Sequence, residues 1–335
     1  MSKNKILVYG ANGYMGQLFL KSALGAGLDL VAASRVAMTA NIPVRQFSLN
    51  DKETILNNLK DIKLVINLAG PFNNTNKQWV EACLESGTHY IDIAGEYQEL
   101  ETVFGYDEKA KQAGVMLMPG AGFGVVPTDI VANLAKQKLP DATSLKIAYV
   151  TNGGASRGTL KTVLSDIHKE GVIVIDGIFQ EAKPAFKSFS FEALNNTQQV
   201  VYNPWRADLF AAKISTGVLN IETYANFPGF VVSMMKGKLL WLRDFLLKRV
   251  IHLLPVGPNQ KQLNTGSTIC YAEVSNAKGE KASATILGPE AYVFTAQTLL
   301  AISKQIINGH VASGYQTPNF YGVTLLNQID KVKIS

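Results

Sequence analysis

The chain has 335 residues, of which 47% are hydrophobic and 17% charged, so wholesale disorder is excluded and a sizeable core is expected. The formal net charge is +6, but the lysines and arginines are scattered, which argues against a nucleic-acid-binding protein with its denser basic stripe. The length suits two domains, or one large α/β domain with an insertion.

The cellular compartment is indicated by two features. Cys83 and Cys270 lie far apart in apolar surroundings, which favours a reducing compartment over a disulfide framework. The polar residues 1–4 lead directly into an apolar strand pattern rather than into a signal-peptide core, so we expect a cytoplasmic protein.

The first motif is KILVYGANGYMG, residues 5–16. KILVY is typical of a buried strand, the residues after Gly16 have helical spacing, and DLVAASR indicates a second strand. In such a turn Gly10 would allow the tight bend, Gly13 the approach of a phosphate, and Gly16 close packing of the helix. The motif predicts a dinucleotide site, and its alternative is a packing turn without a ligand. The pyrophosphate-binding residues would be Gly10, Ala11, Asn12, Gly13, Tyr14 and Met15.

The end of the second strand indicates which dinucleotide is bound. NAD sites usually have an acidic residue there, whereas this chain has Ser34 and Arg35. A hydroxyl and a guanidinium suit a 2′-phosphate, so we predict NADP(H) over NAD(H). The alternative is that Arg35 is a solvated loop residue.

The residues up to about 125 continue to alternate between strand and helix patterns, which predicts a doubly wound parallel sheet. The further predicted strands are residues 42–49, 63–72, 88–96 and 114–124, and the helices are 50–61, 76–87 and about 98–113. Ligands of such sheets bind beyond the carboxyl ends of the strands. We therefore expect the residues that follow the later strands to complete the cofactor site. They are Ala69, Gly70, Pro71, Phe72, Ala94 and Gly95, with residues 120–124 lining the same crevice.

Several motifs in the same order resemble those of the saccharopine dehydrogenase-like oxidoreductases, which include saccharopine reductases and the trans-acting enoyl reductases of lipid synthesis. These motifs are GANGYMG, INLAGPF, VEACLESGTHYIDIAGE, MPGAGFGVVPTDIVA, TNGGASRGT, NPWRADLFAAKISTGVLNIETY and GYQTPNFYGV. The resemblance covers nearly the whole chain and implies an NADP-binding Rossmann domain with an inserted substrate domain. It implies no particular substrate, because the family is diverse. Family members commonly have Asp where this chain has Gly124, so that acid has no role here.

The domain organisation follows from the change of pattern after residue 125. We predict an α/β protein: residues 1–125 form the NADP-binding Rossmann domain, completed by C-terminal helices at about 290–335. Residues 126–289 would form an α+β substrate and dimerisation domain with a mixed sheet, whose last strands make a hairpin over 268–288. A homodimer through this second sheet is our expectation.

Glu96 is our first candidate for a catalytic group, because it directly follows a strand at the expected crevice. Its alternative role is to cap the helix that begins in GEYQELE. Asp129 suits the N-terminal turn of a helix, and His89 suits a packed strand position better than an acid role. No cluster of His, Cys or acids has metal-ligand spacing, so no metal site is predicted.

A second glycine-rich turn, TNGGASRGT, precedes a predicted helix. Ser156, Arg157 and Thr159 would bind a substrate carboxylate or phosphate there, or else cap the helix. The chain lacks the Tyr-x-x-x-Lys pair of short-chain dehydrogenases, because no tyrosine is followed four residues later by a lysine, and this argues against that class.

The stretch 227–255 is both apolar and basic. Spacing predicts one amphipathic helix whose apolar face contains Leu239, Leu242, Leu246, Val250 and Leu253. We weigh a lid or dimer contact against a membrane-surface helix. As a lid, Met234, Met235 and Trp241 would line a pocket for an acyl chain.

The expected function is hydride transfer from NADPH to a C=O, C=N or conjugated C=C bond of a small or lipid-like substrate. The fold and cofactor motifs support this expectation, whereas the reaction type rests on the resemblance. The alternative is an NADP(H)-binding redox sensor or scaffold protein without turnover.

Overall fold

The computed structural model describes residues 3–335, apart from the side chain of Asp166. The chain divides into two compact units. The first comprises Met1–Val126 and Tyr292–Asp330, and the second comprises Pro127–Ala291 and Lys331–Ser335.

The strands and helices are numbered along the chain. The strands are β1 (Lys5–Tyr9), β2 (Leu30–Ser34), β3 (Val44–Gln46), β4 (Ile62–Asn67), β5 (His89–Asp92), β6 (Met116–Met118), β7 (Ser144–Asn152), β8 (Gly171–Ile175), β9 (Ile178–Ala182), β10 (Ser188–Ala193), β11 (Asn196–Tyr202), β12 (Asn220–Ala225), β13 (Ser267–Ser275), β14 (Lys281–Pro289), β15 (Gly314–Tyr315) and β16 (Lys333–Ile334). The helices are α1 (Tyr14–Ala23), α2 (Lys52–Asn57), α3 (Asn76–Ser86), α4 (Tyr97–Phe104), α5 (Asp107–Ala113), α6 (Val126–Lys138), α7 (Arg157–Asp166), α8 (Ala207–Thr216), α9 (Gly229–Met235), α10 (Leu240–Phe245), α11 (Gln260–Thr265), α12 (Ala291–Ile307) and α13 (Gly322–Leu326). A π-helical turn (Leu246–Val250) and short 3-10 turns (Phe72–Asn74, Ile251–Leu253 and Pro318–Phe320) complete the helical structure.

The first unit is built on a seven-stranded sheet in which every pairing is parallel. The strand order is β15-β6-β5-β4-β1-β2-β3, so the order reverses between β1 and β4. The central strands β1, β2 and β4 are almost entirely buried, as expected for a sheet covered on both faces. The predicted doubly wound parallel sheet is confirmed, and its switch point lies next to the glycine turn.

The long helix α12 belongs to this first unit. Phe294 is fully buried, and its ring lies 5.8 Å from that of Phe123. Thr298 Oγ1 donates to the carbonyl of Ala121 at 3.0 Å, and Thr295 Oγ1 accepts from the N–H of Phe123 at 3.0 Å. These contacts attach α12 to the loop that follows β6.

The single helix expected at about 98–113 is in fact two helices, α4 and α5. Gly105 ends α4, and Tyr106 then leaves the helical conformation with φ −101° and ψ 5° before α5 begins. Glycine is a poor interior residue for a helix, so the break falls where propensity is weakest.

The second unit contains a mixed sheet of nine strands with the main order β10-β11-β12-β7-β13-β14-β16, in which β8 also pairs with β12 and β9 pairs with β8. Strands β12 and β7 pair in parallel, whereas the other pairings are antiparallel. The mixed sheet is confirmed, and so is the hairpin at 268–288, which the structure places at β13 and β14. A cluster rich in aromatic residues fills one face. Its members include Phe191, Val200, Tyr202, Tyr224 and Ile269.

The stretch 227–255 is not one helix, so that prediction is wrong. Gly237 and Leu239, with φ of +76° and +55°, separate α9 from α10. The π-helical turn then alters the helical phase, because its hydrogen bonds span five residues rather than four. Leu242 and Leu246 pack against a buried cluster, whereas Leu253, predicted on the same helix face, is 82% exposed. None of the helices in the described part of the chain combines the length and hydrophobicity needed to cross a membrane.

Candidate cofactor site

The turn between β1 and α1 requires glycine at two positions. Gly10 has φ +81°, and a Cβ there would lie 2.8 Å from the backbone nitrogen of Ala69. A Cβ on Gly16 would lie 2.4 Å from the carbonyl oxygen of Gly10. The predicted roles of these glycines, a tight turn and close helix packing, agree with this geometry.

The helix α1 presents an uncapped N-terminus at this turn. Gly13 is its N-cap residue in an extended conformation, and no side chain caps the helix. The first turn of a helix has backbone N–H groups without intrahelical partners, and its dipole favours anions. The arrangement suits the pyrophosphate of a dinucleotide.

A cavity of about 390 Å3 opens beside this turn. It is lined by Tyr9, Gly10, Asn12, Arg35, Val36, Ser48, Leu49, Asn50, Ala69, Gly70, Pro71, Asn74, Thr75 and Gln78. The cavity therefore gathers the ends of β1, β2, β3 and β4 at the carboxyl edge of the sheet. Its volume is within the range of about 300–1,000 Å3 that is usual for ligand pockets.

Six of the predicted cofactor residues line this cavity: Gly10, Asn12, Arg35, Ala69, Gly70 and Pro71. Ala11, Met15, Ser34 and Ala94 are buried beneath the surface. The hydroxyl of Ser34 donates to the carbonyl of Val36, so it stabilises the loop after β2. The remaining predicted residues, Gly13, Tyr14, Phe72 and Gly95, are outside the lining. Contact of all these residues with a cofactor stays a prediction.

Sequence reasoning missed the contribution of two segments. Ser48, Leu49 and Asn50 follow β3, and Asn74, Thr75 and Gln78 lie in and after the short turn that follows β4. The first segment could have been found, because β3 was predicted as a strand and the carboxyl ends of parallel strands share one edge. The second segment could not have been found from the sequence, because its place at the cavity depends on the path that the chain takes after Pro71.

The two arginines of this region have different surroundings. Arg35 is exposed at the cavity, and its charge acts on Tyr9, whose pKa is raised by burial and lowered in part by this guanidinium. Arg45 instead makes two hydrogen bonds of 2.8 Å to the carboxylate of Asp61. Arg35 is therefore the cation positioned to bind a phosphate here.

A hydrogen-bonded chain of polar side chains, buried or half-buried, supports the loop after β4. Asn67 donates to the hydroxyls of Thr75 at 3.0 Å and Tyr90 at 3.1 Å. Asn67 also accepts from the N–H of Ala69 at 3.2 Å, while Thr75 donates to the carbonyl of Ala69 at 3.1 Å. Ala69 lines the cavity, so this network fixes part of its wall.

The same network reaches the loops after β5 and β6 through Asp92. Tyr90 donates to Asp92 Oδ2 at 2.8 Å, and Asp92 Oδ1 accepts from the N–H groups of Ala94 and Gly120 at 2.9 Å each. Burial raises the pKa of Asp92 to about 6, although these three hydrogen bonds favour the carboxylate. Asp92 thus joins neighbouring loops at the carboxyl edge of the sheet.

Glu96 lies at the N-terminus of α4 and forms a capping box with Glu99. The Glu99 carboxylate accepts from the N–H groups of Gly95 at 3.2 Å and Glu96 at 3.3 Å. Burial, followed by the charges of Glu96 and Asp92, raises the pKa of Glu99 to about 7. The capping alternative for Glu96 is present in the structure, and its catalytic role stays a prediction. The E-x-x-E spacing could have pointed to Glu99.

The predicted substrate-binding residues of the second unit take part in local structure. Ser156 caps α7 by accepting from the N–H of Thr159 at 3.1 Å. Arg157 Nε donates to the carbonyl of Leu254 at 3.1 Å, so its guanidinium fastens the end of the stretch 227–255. Binding of a substrate anion by these three residues stays a prediction.

Asp129 and His89 have structural surroundings. Asp129 is fully buried in the first turn of α6 and accepts from the hydroxyl of Ser215. His89 accepts from the N–H of Met116 at 3.1 Å, and burial lowers the pKa of His89 to about 4. Within residues 3–335, no group of three or more His, Cys or acidic side chains is arranged to hold a metal ion.

The glycine cradle, the uncapped helix N-terminus and Arg35 together fit NADP(H). Gly10, Asn12 and the first turn of α1 would hold the pyrophosphate, and Arg35 the 2′-phosphate. The fold and the site define the first unit as an NADP-binding Rossmann domain.

Comparisons with known proteins agree with this class. The family model described as the saccharopine dehydrogenase NADP binding domain matches residues 6–118. A saccharopine dehydrogenase-like oxidoreductase of Rattus norvegicus is 23% identical over 91% of this chain and 88% of its own length. The Mus musculus protein of that name is 30% identical over 53% of this chain and 44% of its own. The lipid droplet localized protein of Caenorhabditis elegans is 25% identical over 41% of this chain and 37% of its own.

Solved structures show the same two-domain fold. Apo saccharopine dehydrogenase from Saccharomyces cerevisiae matches with a TM-score of 0.65 at 11% identity, over 99% of both chains. A meso-dapdh mutant from Clostridium tetani matches with a TM-score of 0.54 at 16% identity, over 97% of this chain and 96% of that one. The chain is therefore similar to the saccharopine dehydrogenase-like oxidoreductases, and its residues 6–118 match the NADP-binding domain of saccharopine dehydrogenase.

Proposed function

We propose that the protein is a reductase that transfers a hydride from NADPH to a C=O, C=N or conjugated C=C bond of a small or lipid-like substrate. The observation that carries the proposal is the cavity at the switch point of the parallel sheet, where Arg35 lies across from the glycine turn. Sites of this kind bind dinucleotides, and the guanidinium favours the phosphorylated one.

The roles of the chain's own residues are positional and electrostatic. Gly10 and Asn12 bring the backbone close to the pyrophosphate, Arg35 neutralises the 2′-phosphate, and Ala69 is held by the Asn67 network. The bound cofactor supplies the hydride. Glu96 remains our candidate for the group that binds or protonates the substrate, because it follows β5 at the same edge of the sheet.

The lipid-like part of the proposal rests on relatives. One relative is named a lipid droplet localized protein, and such a name suits an enzyme that meets apolar substrates.

The first experiment is a fluorescence titration of the protein with NADPH and, in parallel, with NADH. We expect clear binding of NADPH and much weaker binding of NADH. A panel of carbonyl, imine and enoyl compounds would then be screened for oxidation of NADPH at 340 nm. Binding without turnover on any compound would favour the alternative, a redox sensor or scaffold. Failure to bind either cofactor would contradict both.

A further inference from the structure

Residues 227–256, called here the basic-apolar segment, contain an unusual density of large exposed hydrophobic side chains in the second unit. They are Phe230, Leu239, Trp241, Phe245, Leu253 and Val256, each between 38% and 82% exposed. Scattered exposed hydrophobics are normal on soluble proteins, but a concentration of them in one short segment marks an interaction surface.

The segment has a second, inward-facing set of apolar side chains that anchors it. Met234 and Met235 are buried, and Leu242, Leu246 and Leu247 pack against the same cluster, which includes Leu164 and Ile167 from α7 and the residue after it. That the two methionines line a pocket for an acyl chain stays a prediction. The exposed side chains named above, the outward set, cannot turn toward the protein interior unless the segment loses this packing.

The outward set forms a stripe along the helical run from α10 to the last 3-10 turn. Trp241, Phe245, Arg249 and Leu253 recur every four residues, and all four are exposed. Side chains that are four residues apart do not stay on one side of an ordinary α-helix, because the helix has 3.6 residues per turn. The π-helical turn Leu246–Val250 is wider, and this keeps Leu253 on the outer side.

Charge decides which partner fits the stripe. Lys236, Lys238, Lys248 and Arg249 are exposed in the segment, and Asp244 is its single acid. An isologous contact with a second copy would bring these cations against one another, which costs affinity. An anionic lipid surface offers the opposite charge together with an apolar layer, and tryptophan is favoured at that boundary.

We propose that the basic-apolar segment docks the protein on phospholipid bilayers with anionic headgroups. Trp241, Phe245 and Leu253 insert into the boundary between headgroups and acyl chains, while Lys248 and Arg249 contact the headgroups. The segment is already folded on α7, so docking requires no refolding of the second unit.

The test is co-sedimentation of the full chain with two kinds of vesicle, phosphatidylcholine alone and phosphatidylcholine mixed with phosphatidylglycerol. We expect binding to the mixed vesicles that weakens at high NaCl, since exposed charges are screened by salt. The emission of Trp241 should shift to the blue on binding, and Trp241→Phe should abolish the shift. Trp79 is fully buried and Trp205 packs against the cluster beneath the segment, so the emission of the Trp241→Phe variant gives the background from these two residues.

Two sets of substitutions distinguish docking through this segment from nonspecific hydrophobic adsorption to vesicles. The triple change Trp241→Ser, Phe245→Ser, Leu253→Ser should weaken partition into mixed vesicles by roughly tenfold or more, because it removes three inserting apolar side chains. A control triple carries Leu24→Ser, Ile178→Ser and Leu194→Ser, three side chains that are each more than half exposed elsewhere. The control should bind vesicles as the unaltered protein does, and both triples should keep its melting temperature.

Four outcomes would overturn the proposal. They are absence of binding to the mixed vesicles, equal binding to neutral vesicles, equal loss in both triples, and a protein dimer that the first triple dissociates without any vesicle binding. The last result would assign the segment to a contact between copies of the chain.

Discussion

Arg35 is the residue on which cofactor preference depends. It is exposed at the rim of the cavity, and no acidic side chain is present among the lining residues. A guanidinium can make two parallel hydrogen bonds to a phosphate, and hydrogen bonds to charged groups are among the stronger ones.

Arg35→Ala should weaken NADPH binding by roughly 10–100-fold, as expected for loss of about 1.5–3 kcal/mol from a charge-assisted contact. Binding of NADH should change little, because it lacks the 2′-phosphate. Titration of both cofactors measures the difference. Lys60→Ala is the matched control: it removes the same charge from an exposed residue just before β4, at the opposite edge of the sheet. An equal loss of affinity for NADH in Arg35→Ala would contradict the assignment of Arg35 to the 2′-phosphate.

Glu99 makes the stability of the protein depend on pH near neutrality. Its folded-state pKa of about 7 exceeds its ordinary value of 4.5, so the folded protein holds this proton more tightly than the unfolded chain. The resulting stabilisation is complete below the unfolded-state pKa and is lost as the pH rises through about 7.

Glu99→Gln should therefore flatten the fall in the free energy of unfolding between pH 5 and 8, by an amount on the order of 3 kcal/mol. Glutamine keeps an oxygen that can accept from the N–H groups of Gly95 and Glu96. Urea unfolding at several pH values gives the slope. Glu101→Gln, an exposed change on the same helix, serves as the control. Parallel slopes for Glu99→Gln and the unaltered protein would exclude Glu99 as the titrating group.

At the scale of elements, the packing of α1 against the end of β1 depends on one glycine. Because Gly16 has no Cβ, the carbonyl oxygen of Gly10 can occupy the space beside it. The helix can approach the turn this closely only because no Cβ intervenes, and the same approach places its N-terminus at the cavity.

Gly16→Ala should lower stability by about 1–3 kcal/mol, the usual range for overpacking, and should weaken NADPH binding as α1 moves away. Thermal unfolding with and without NADPH measures both effects. Gly158→Ala in α7 is the control, because the added Cβ would meet only Ser156 Oγ, at 3.7 Å. If both variants melted together with the unaltered protein, close packing at Gly16 would be refuted.

At the scale of the whole molecule, the first unit is assembled from the two ends of the chain. The N-terminal part supplies six of the seven parallel strands, whereas α12, which begins at Ala291, and β15 come from the C-terminal part. Phe294, Leu299 and Ile302 on α12 are fully buried, so without this helix the remaining part would expose an apolar surface.

A fragment of residues 1–126 should consequently aggregate or melt far below the full chain. Joining residue 126 to residue 292 with a short glycine–serine linker should restore a folded unit that binds NADPH, because the rings of Phe123 and Phe294 are only 5.8 Å apart. Circular dichroism and the NADPH titration provide the readouts. A stable, NADPH-binding 1–126 fragment would show that α12 is dispensable.

Local patterns in the sequence were sufficient to predict most of the strands, most of the helices and the glycine turn. KILVYGANGYMG predicts β1, the turn and α1 because apolar period and glycine position are properties of neighbouring residues. The identity of Arg35 at the end of β2 predicted NADP(H) for the same reason. The predicted helix at 98–113 failed because capping by Gly105 and Tyr106 competed with helix propensity.

The tertiary structure decided what depends on distant residues. The wall formed by Ser48 and Asn50, the hydrogen bond from the N–H of Gly120 to Asp92, and the raised pKa of Glu99 arise from burial and from contacts between separate segments. The outward turn of Leu253 depends likewise on a π-helical turn and on packing against α7. Period and propensity report how a residue relates to its neighbours along the chain, whereas burial and charge depend on which segments the fold brings together.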